Sequence, residues 1–173
     1  MQKRPGEILG IHVRSVIRAL PAERVELREY QSIAESIDPT GWYDWSSYLE
    51  MIHGISARVP SEVLVQAGKT IVHRAKQHFA DQGYDSLEKL YRDAELIYNA
   101  NSRNMLAEDI IRAIEFEPGR VLVEASETHV PELMEGYMRG AAEAYDAKVT
   151  SFNAFLVQDI PPRYRYELRY ETQ

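Results

Sequence analysis

The stretch Ile110-Ile111-Arg112-Ala113-Ile114-Glu115-Phe116-Glu117-Pro118-Gly119-Arg120-Val121-Leu122-Val123 is where the chain changes its hydrophobic period. Upstream of it, apolar residues recur every three to four positions. Within it, two short apolar-rich runs, 110–116 and 120–123, flank Glu117-Pro118-Gly119. Proline presets φ for a turn and glycine accepts a positive φ, so the two in adjacent positions mark a turn. Short apolar runs on either side of such a turn spell a β-hairpin.

Downstream, Val130, Leu133, Met134, Tyr137, Met138, Ala141 and Tyr145 form the cleanest helical stripe in the chain, with Gly136, Gly140 and Ala144 along its flank. Glycines in that position imply close backbone packing, which we expect against a sheet. Residues 149–157 read as a strand. Tyr164, Tyr166, Leu168 and Tyr170 then alternate with Arg163, Arg165, Glu167, Arg169 and Glu171, the period of a strand with one wet face. The C-terminal part, about 109–171, is therefore predicted to be β-β-α-β-β.

Upstream, the spacing of Ile8, Leu9, Ile11, Val13, Val16, Ile17 and Leu20 predicts a helix ending near Pro21, followed by a surface-lying helix over 22–37. After the turn cluster Asp38-Pro39-Thr40-Gly41, a third helix is predicted over about 46–59, with Ser47 and Glu50 at capping-box spacing. Pro60 suits the opening turn of a fourth, because its missing N–H is unpaired there anyway. A fifth begins at Asp85 and Glu88, again at capping-box spacing, and runs through Tyr98 toward Asn101. Four strands need helices on one face to be buried. The expectation is one α+β domain over 1–173, with a mainly helical layer at about 8–104 packed on a C-terminal twisted antiparallel sheet.

Twenty basic against 27 acidic residues in 173 give a net charge of −7, which opposes approach to phosphate backbones and anionic lipid. Nucleic acid is not an expected partner. No run of 18 apolar residues occurs, so membrane insertion is not expected and a cytoplasmic location is. The absence of cysteine removes disulfides, thiolate metal sites and cysteine nucleophiles.

Glycine-rich phosphate loops, Gly-x-Ser-x-Gly and His-Glu-x-x-His are missing, so nucleotide, hydrolase and metalloprotease chemistry has no motif support. His73 and His78 are five apart, about 140° around a helix, and cannot share a metal as an i, i+4 pair can. We read them, with His12, His53 and His129, as surface residues, and expect no metal. Glu115, Glu117, Glu124 and Glu127 read as solvated strand faces; a pair in a cleft would be needed for acid–base work. Arg163-Tyr164-Arg165-Tyr166 has the composition of a single-strand binder, but strict alternation splits its rings and guanidinium groups onto opposite faces. Trp42, Tyr43, Trp45 and Tyr48 either line an apolar pocket or fill a core.

Two segments carry a resemblance to a known family. Trp42-Tyr43-Asp44-Trp45-Ser46-Ser47-Tyr48-Leu49-Glu50-Met51-Ile52, then Val59-Pro60 and Val65-Gln66-Ala67-Gly68-Lys69, resembles the helical part of the haem NO-binding and 4-vinyl-reductase (V4R) superfamily. Residues 119–126, 133–145 and 164–170 resemble its C-terminal strand–helix–strand unit. Length and layout are similar to stand-alone members of myxobacterial, hence bacterial, type. The resemblance implies helices over a twisted sheet with a potential apolar cavity between, and relatives that often dimerise and serve as sensors.

The departures bear on function. Haem-binding members hold the propionates with a Tyr-x-Ser-x-Arg motif, and the matching stretch here is Glu124-Ala125-Ser126-Glu127-Thr128, where only Ser126 agrees. Losing the cation and gaining an anion should repel propionates. The family's axial histidine lies where this chain has Ile97-Tyr98-Asn99. We therefore expect no cofactor and a non-enzymatic sensor-like or scaffold domain. It would bind a small apolar molecule through Trp42, Trp45, Tyr98 and Tyr137, a protein partner, or a second copy as a homodimer. The alternatives are an enzyme acting on a tetrapyrrole-like substrate, and a haem-binding gas sensor with a non-histidine ligand such as Tyr98.

Overall fold

A computed structural model describes residues 4–126, 128–159 and 162–172. The chain starts with a short strand, β1 (Glu7–Leu9), and helix α1 (Gly10–Ala19), followed by α2 (Arg28–Ser36), β2 (Trp42–Asp44), α3 (Trp45–Ser56) and α4 (Ser61–Asp81). Two short helices, α5 (Leu87–Arg92) and α6 (Ala94–Ala100), lead to β3 (Ser102–Arg103). The C-terminal part is β4 (Arg112–Glu117), β5 (Arg120–Ser126), α7 (Pro131–Ala144), β6 (Ala147–Asp159) and β7 (Pro162–Thr172). The predicted α+β class and the β-β-α-β-β order are both present. Among the described residues, no helix is long and apolar enough to cross a membrane.

Four local expectations need correction. The second helix is shorter than 22–37, because a 3₁₀ turn at Val25–Leu27 precedes it. The fifth divides at Asp93, whose backbone (φ −101, ψ 15) leaves the α region between α5 and α6. The caps also differ. Asp44, not Ser47, caps α3 by accepting from the Ser47 N–H at 2.9 Å. Ser86 caps α5, while Asp85 pairs with Lys89 Nζ at 2.8 Å. A cap oxygen must reach the N–H two or three residues on, and Asp44 and Ser86 sit where the extended chain enters the helix.

Strands β1, β2 and β3 form a small antiparallel sheet in the order β2-β1-β3, which the sequence reading missed. Its strands have two or three residues each, too few to show a period. It closes the N-terminal end by tying Leu9 to Trp42 and Ile8 to Ser102. The main sheet is antiparallel in the order β4-β5-β7-β6. Register pairs Val121 with Leu168 and Val123 with Tyr166, so one face presents Val121, Val123, Ala125, Tyr166, Leu168 and Tyr170, all buried.

On the outer face, Arg165 pairs with Glu124 at 2.7 Å, and Arg120 and Arg169 share Glu167 at 2.6 and 2.9 Å. The arginines of Arg163-Tyr164-Arg165-Tyr166 are thus turned away from the rings, and Glu124 serves Arg165 and Arg163. Glu115 and Glu117 face Arg120 on the same surface, and Glu127 lies outside the described residues.

Helix α7 lies between the sheet and α4. A Cβ on Gly136 would fall 2.3 Å from the Val65 carbonyl oxygen and 2.8 Å from the Gly68 Cα, and one on Gly140 would fall 2.7 Å from the Lys69 Cα. The glycines therefore serve a helix–helix seam rather than the expected helix–sheet contact. The side chains of Met134, Met138, Ala141 and Ala142 belong to the core shared with the sheet. The remaining core joins α1, α2 and α3 to α4 and the start of α7.

Candidate functional site

Between the helical layer, α7 and the sheet lies a cavity of about 240 Å³. Side chains reach it from both layers, among them Ile71 and Phe79 of α4, Ile97 of α6, Val123 of β5 and Met134 of α7. Among the described residues lining it there is no Asp, Glu, Lys or Arg. One side of the lining is an arc of six rings, Tyr137, His12, Tyr48, Trp45, His129 and Tyr98. Successive ring centroids are 5.2 to 6.4 Å apart.

The elements that place these rings follow from local sequence. Gly10 lets α1 start against the Asp38 carbonyl, where a Cβ would fall 2.0 Å from that oxygen, and His12 follows two residues on. The Asp44 cap sets the start of α3, which puts Trp45 and Tyr48 one turn apart. The break at Asp93 lets α6 carry Tyr98 to the cavity, and Tyr137 comes from α7.

Beneath the rings runs a buried polar chain. Asp109, 0% exposed, is held by Arg4 through Nε at 2.9 Å and Nη2 at 2.8 Å. Its carboxylate accepts from Ser126 Oγ at 3.2 Å, and Ser126 and Thr128 hydroxyls are 2.6 Å apart. Thr128 Oγ1 lies 3.3 Å from His129 Nδ1, and His129 Nε2 lies 2.9 Å from the Tyr98 hydroxyl.

Charge dictates the direction of this chain. A carboxylate only accepts, and hydrogen bonds to it are the strongest on offer, so the Ser126 and Thr128 hydrogens point toward the Asp109 end. Thr128 then accepts from His129 Nδ1–H, and the free Nε2 accepts from the Tyr98 hydroxyl.

Burial pushes the His129 imidazolium pKa down to about 4, and that of His12 also to about 4, so both rings are neutral at pH 7. Burial raises the Tyr48, Tyr98 and Tyr137 phenols, which keep their protons. His12 Nε2 lies 3.3 Å from the Tyr48 hydroxyl. Two polar atoms in the arc have no hydrogen-bond partner, the Trp45 indole Nε1 and the Tyr137 hydroxyl.

Of the four residues nominated from sequence, Trp45, Tyr98 and Tyr137 line the cavity. Trp42 is not among the lining residues; it stands on β2 with the Arg103 guanidinium 4.2 Å from its ring centroid. Two histidines read as surface residues, His12 and His129, are cavity residues, whereas His73 and His78 are exposed. His12 had a signal, since it lies four residues before the buried Val16, one turn along the same face of α1. His129 had none, because a long-range approach of the loop before α7 to α6 brings it to Tyr98. Among the described residues no cluster of three or more His, Asp or Glu could hold a metal ion.

No protein-family model matches the chain, and no curated protein matches its sequence. Solved structures do match. An H-NOX (haem NO-binding) domain from Shewanella oneidensis, a point mutant in the Fe(II)CO ligation state, is 11% identical with a TM-score of 0.63, over 96% of this chain and 99% of that one. A point mutant of the T. tengcongensis H-NOX is 10% identical with a TM-score of 0.62, over 94% and 97%. An oxygen-binding H-NOX domain related to soluble guanylate cyclases, in its oxygen complex, is 10% identical with a TM-score of 0.57, over 94% and 92%. With 94 to 96% of this chain matched to 92 to 99% of those chains at TM-scores of 0.57 to 0.63, this protein has the H-NOX fold.

Proposed function

We propose that the chain is a haem-free, ligand-binding sensor module on the H-NOX fold, which reports occupancy of its cavity to a protein partner or a second copy of itself. The observation that carries this reading is the cavity itself, ring-lined, without a charged side chain among the described residues that line it, and with two lining residues, Trp45 and Tyr137, whose buried polar atoms have no partner.

Haem is the group the fold family implies, and the residues present do not fit it. The cavity volume of about 240 Å³ lies below the roughly 300–1,000 Å³ of sites for drug-sized ligands, and haem is larger than those. Among the described residues no cation lines the cavity to neutralise two propionates. Where the resemblance sets the propionate cradle, Ser126 and Thr128 already serve the chain's own carboxylate, Asp109, which has its own cation in Arg4. Tyr98, the alternative iron ligand, is bonded to His129.

Catalysis on a tetrapyrrole-like substrate has less support. The two histidines of the cavity titrate near 4 and its tyrosines above their ordinary range, so none is matched to proton transfer at neutral pH.

Native mass spectrometry of the freshly purified chain, compared with its denatured mass, tests the reading together with a haem titration followed by absorption. Expected are a retained small molecule or none, a dimer, and no stoichiometric Soret band. A one-to-one haem adduct overturns the haem-free reading, and a strictly monomeric mass at micromolar concentration removes self-association.

A further inference from the structure

Resting on the haem-free cavity reading, we propose that the ligand class is an uncharged molecule of one or two aromatic rings, carrying a hydrogen-bond acceptor that pairs with the Trp45 indole N–H.

Size sets the first limit. An apolar protein cavity of about 150 Å³ takes benzene, so the 240 Å³ here have room for about two fused rings. Charge sets the second. Without a charged side chain among the described residues of the lining, and with His12 and His129 neutral, an ionised guest would lose its hydration for no partner. Shape sets the third. Six rings at centroid spacings of 5.2 to 6.4 Å offer faces and edges suited to another ring.

Polarity sets the fourth limit. Trp45 is 1% exposed and its Nε1–H, a donor only, has no partner. A buried donor left unmatched is costly, and an acceptor on the guest removes that cost. The Tyr137 hydroxyl, on another lining residue from α7, is also buried without a partner and favours a guest with a polar group for the same reason. Because the chain from Asp109 commits the Tyr98 hydrogen to His129, Tyr98 offers the guest a lone pair. A phenol-type hydroxyl meets both demands, accepting from Trp45 and donating to Tyr98.

The test uses three probes of one ring system, 2-naphthol, naphthalene and 2-naphthoate, in equilibrium dialysis with the whole chain at pH 7.5. Expected is one 2-naphthol per chain, bound about tenfold tighter than naphthalene, with 2-naphthoate weaker than both. Trp45→Phe and, independently, Tyr137→Phe should each lower 2-naphthol affinity about three- to tenfold more than they change naphthalene affinity, which collapses the preference. Tyr137→Phe removes a single oxygen and serves if the tryptophan variant does not fold. Naphthalene binding as tightly as 2-naphthol, naphthoate binding more tightly, or a preference that survives both substitutions overturns the ligand class while leaving the cavity reading in place. Binding of none of the three overturns both.

Discussion

Within α7, neighbouring residues meet opposite surroundings. Gly136 presses backbone to backbone on α4, whereas Tyr137 borders a space of about 240 Å³ with its hydroxyl unpartnered. At the seam, small residues let two helices close until no volume remains. On the cavity side, rigid rings cannot interleave to that density, and polar tips resist burial against hydrocarbon. One helix thus carries both a backbone-to-backbone seam and the border of a void. The seam is a site where added atoms do harm, and the cavity one where they are tolerated.

The sharpest way to break this contrast is to add side-chain volume at the seam. Gly136→Val should destabilise the chain by about 3 kcal/mol or more in urea unfolding, because the atoms in the way are backbone of α4 and cannot swing aside. A cost below about 1 kcal/mol would mean that the helices separate easily and that the seam is no tighter than the cavity.

Acid should act on the other side. His12 and His129 titrate near 4 in the folded chain and near 6.5 when unfolded, so the unfolded state binds more protons between those values. Stability is therefore lost as pH falls from about 6.5 toward 4, by about 1 to 2 kcal/mol per histidine down to pH 5. The carboxylates held down by partners, such as Glu167 beside Arg120, lose their contribution only at lower pH. Urea midpoints between pH 6.5 and 5 should fall in the native chain and stay flatter in a His12→Gln, His129→Asn double variant. Equal slopes would place the two rings in contact with bulk water.

Two smaller effects sharpen the picture inside the arc. Tyr98→Phe removes the hydroxyl on His129 Nε2 and should cost about 1 kcal/mol, with the His129 pKa moving in a proton NMR titration. Tyr137→Phe removes a hydroxyl that pairs with nothing in the chain, and should change stability by less than about 0.5 kcal/mol or raise it. If Tyr137→Phe costs as much as Tyr98→Phe, the Tyr137 hydroxyl has a partner in solution and the cavity is polar there.

Much of the fold was legible because helix and strand impose different periods on apolar residues. The change of period at Glu117-Pro118-Gly119 located the hairpin, and the alternation in β7 correctly separated Tyr166, Leu168 and Tyr170 from the arginines that pair across the outer face. The caps were misjudged at Ser47 and Asp85 because several residues able to cap stand close together, and only chain direction selects among them. The strands β1 to β3 were invisible because two or three residues carry no period.

By itself the sequence determined the α+β class, the order of the large elements and the division of the last strand into an apolar and a charged face, since these follow from local periodicity and turn chemistry; that Arg163 and Glu167 of the charged face are buried was not legible in it. Only the tertiary structure decided that Gly136 faces α4 and not the sheet, that His12 and His129 enter a cavity, and that Asp109, Ser126 and Thr128 form one buried chain with Arg4. These contacts join residues as far as 105 positions apart. An apolar stripe reads the same whether it meets another stripe or surrounds a guest, so only the relative placement of the layers settles which it does.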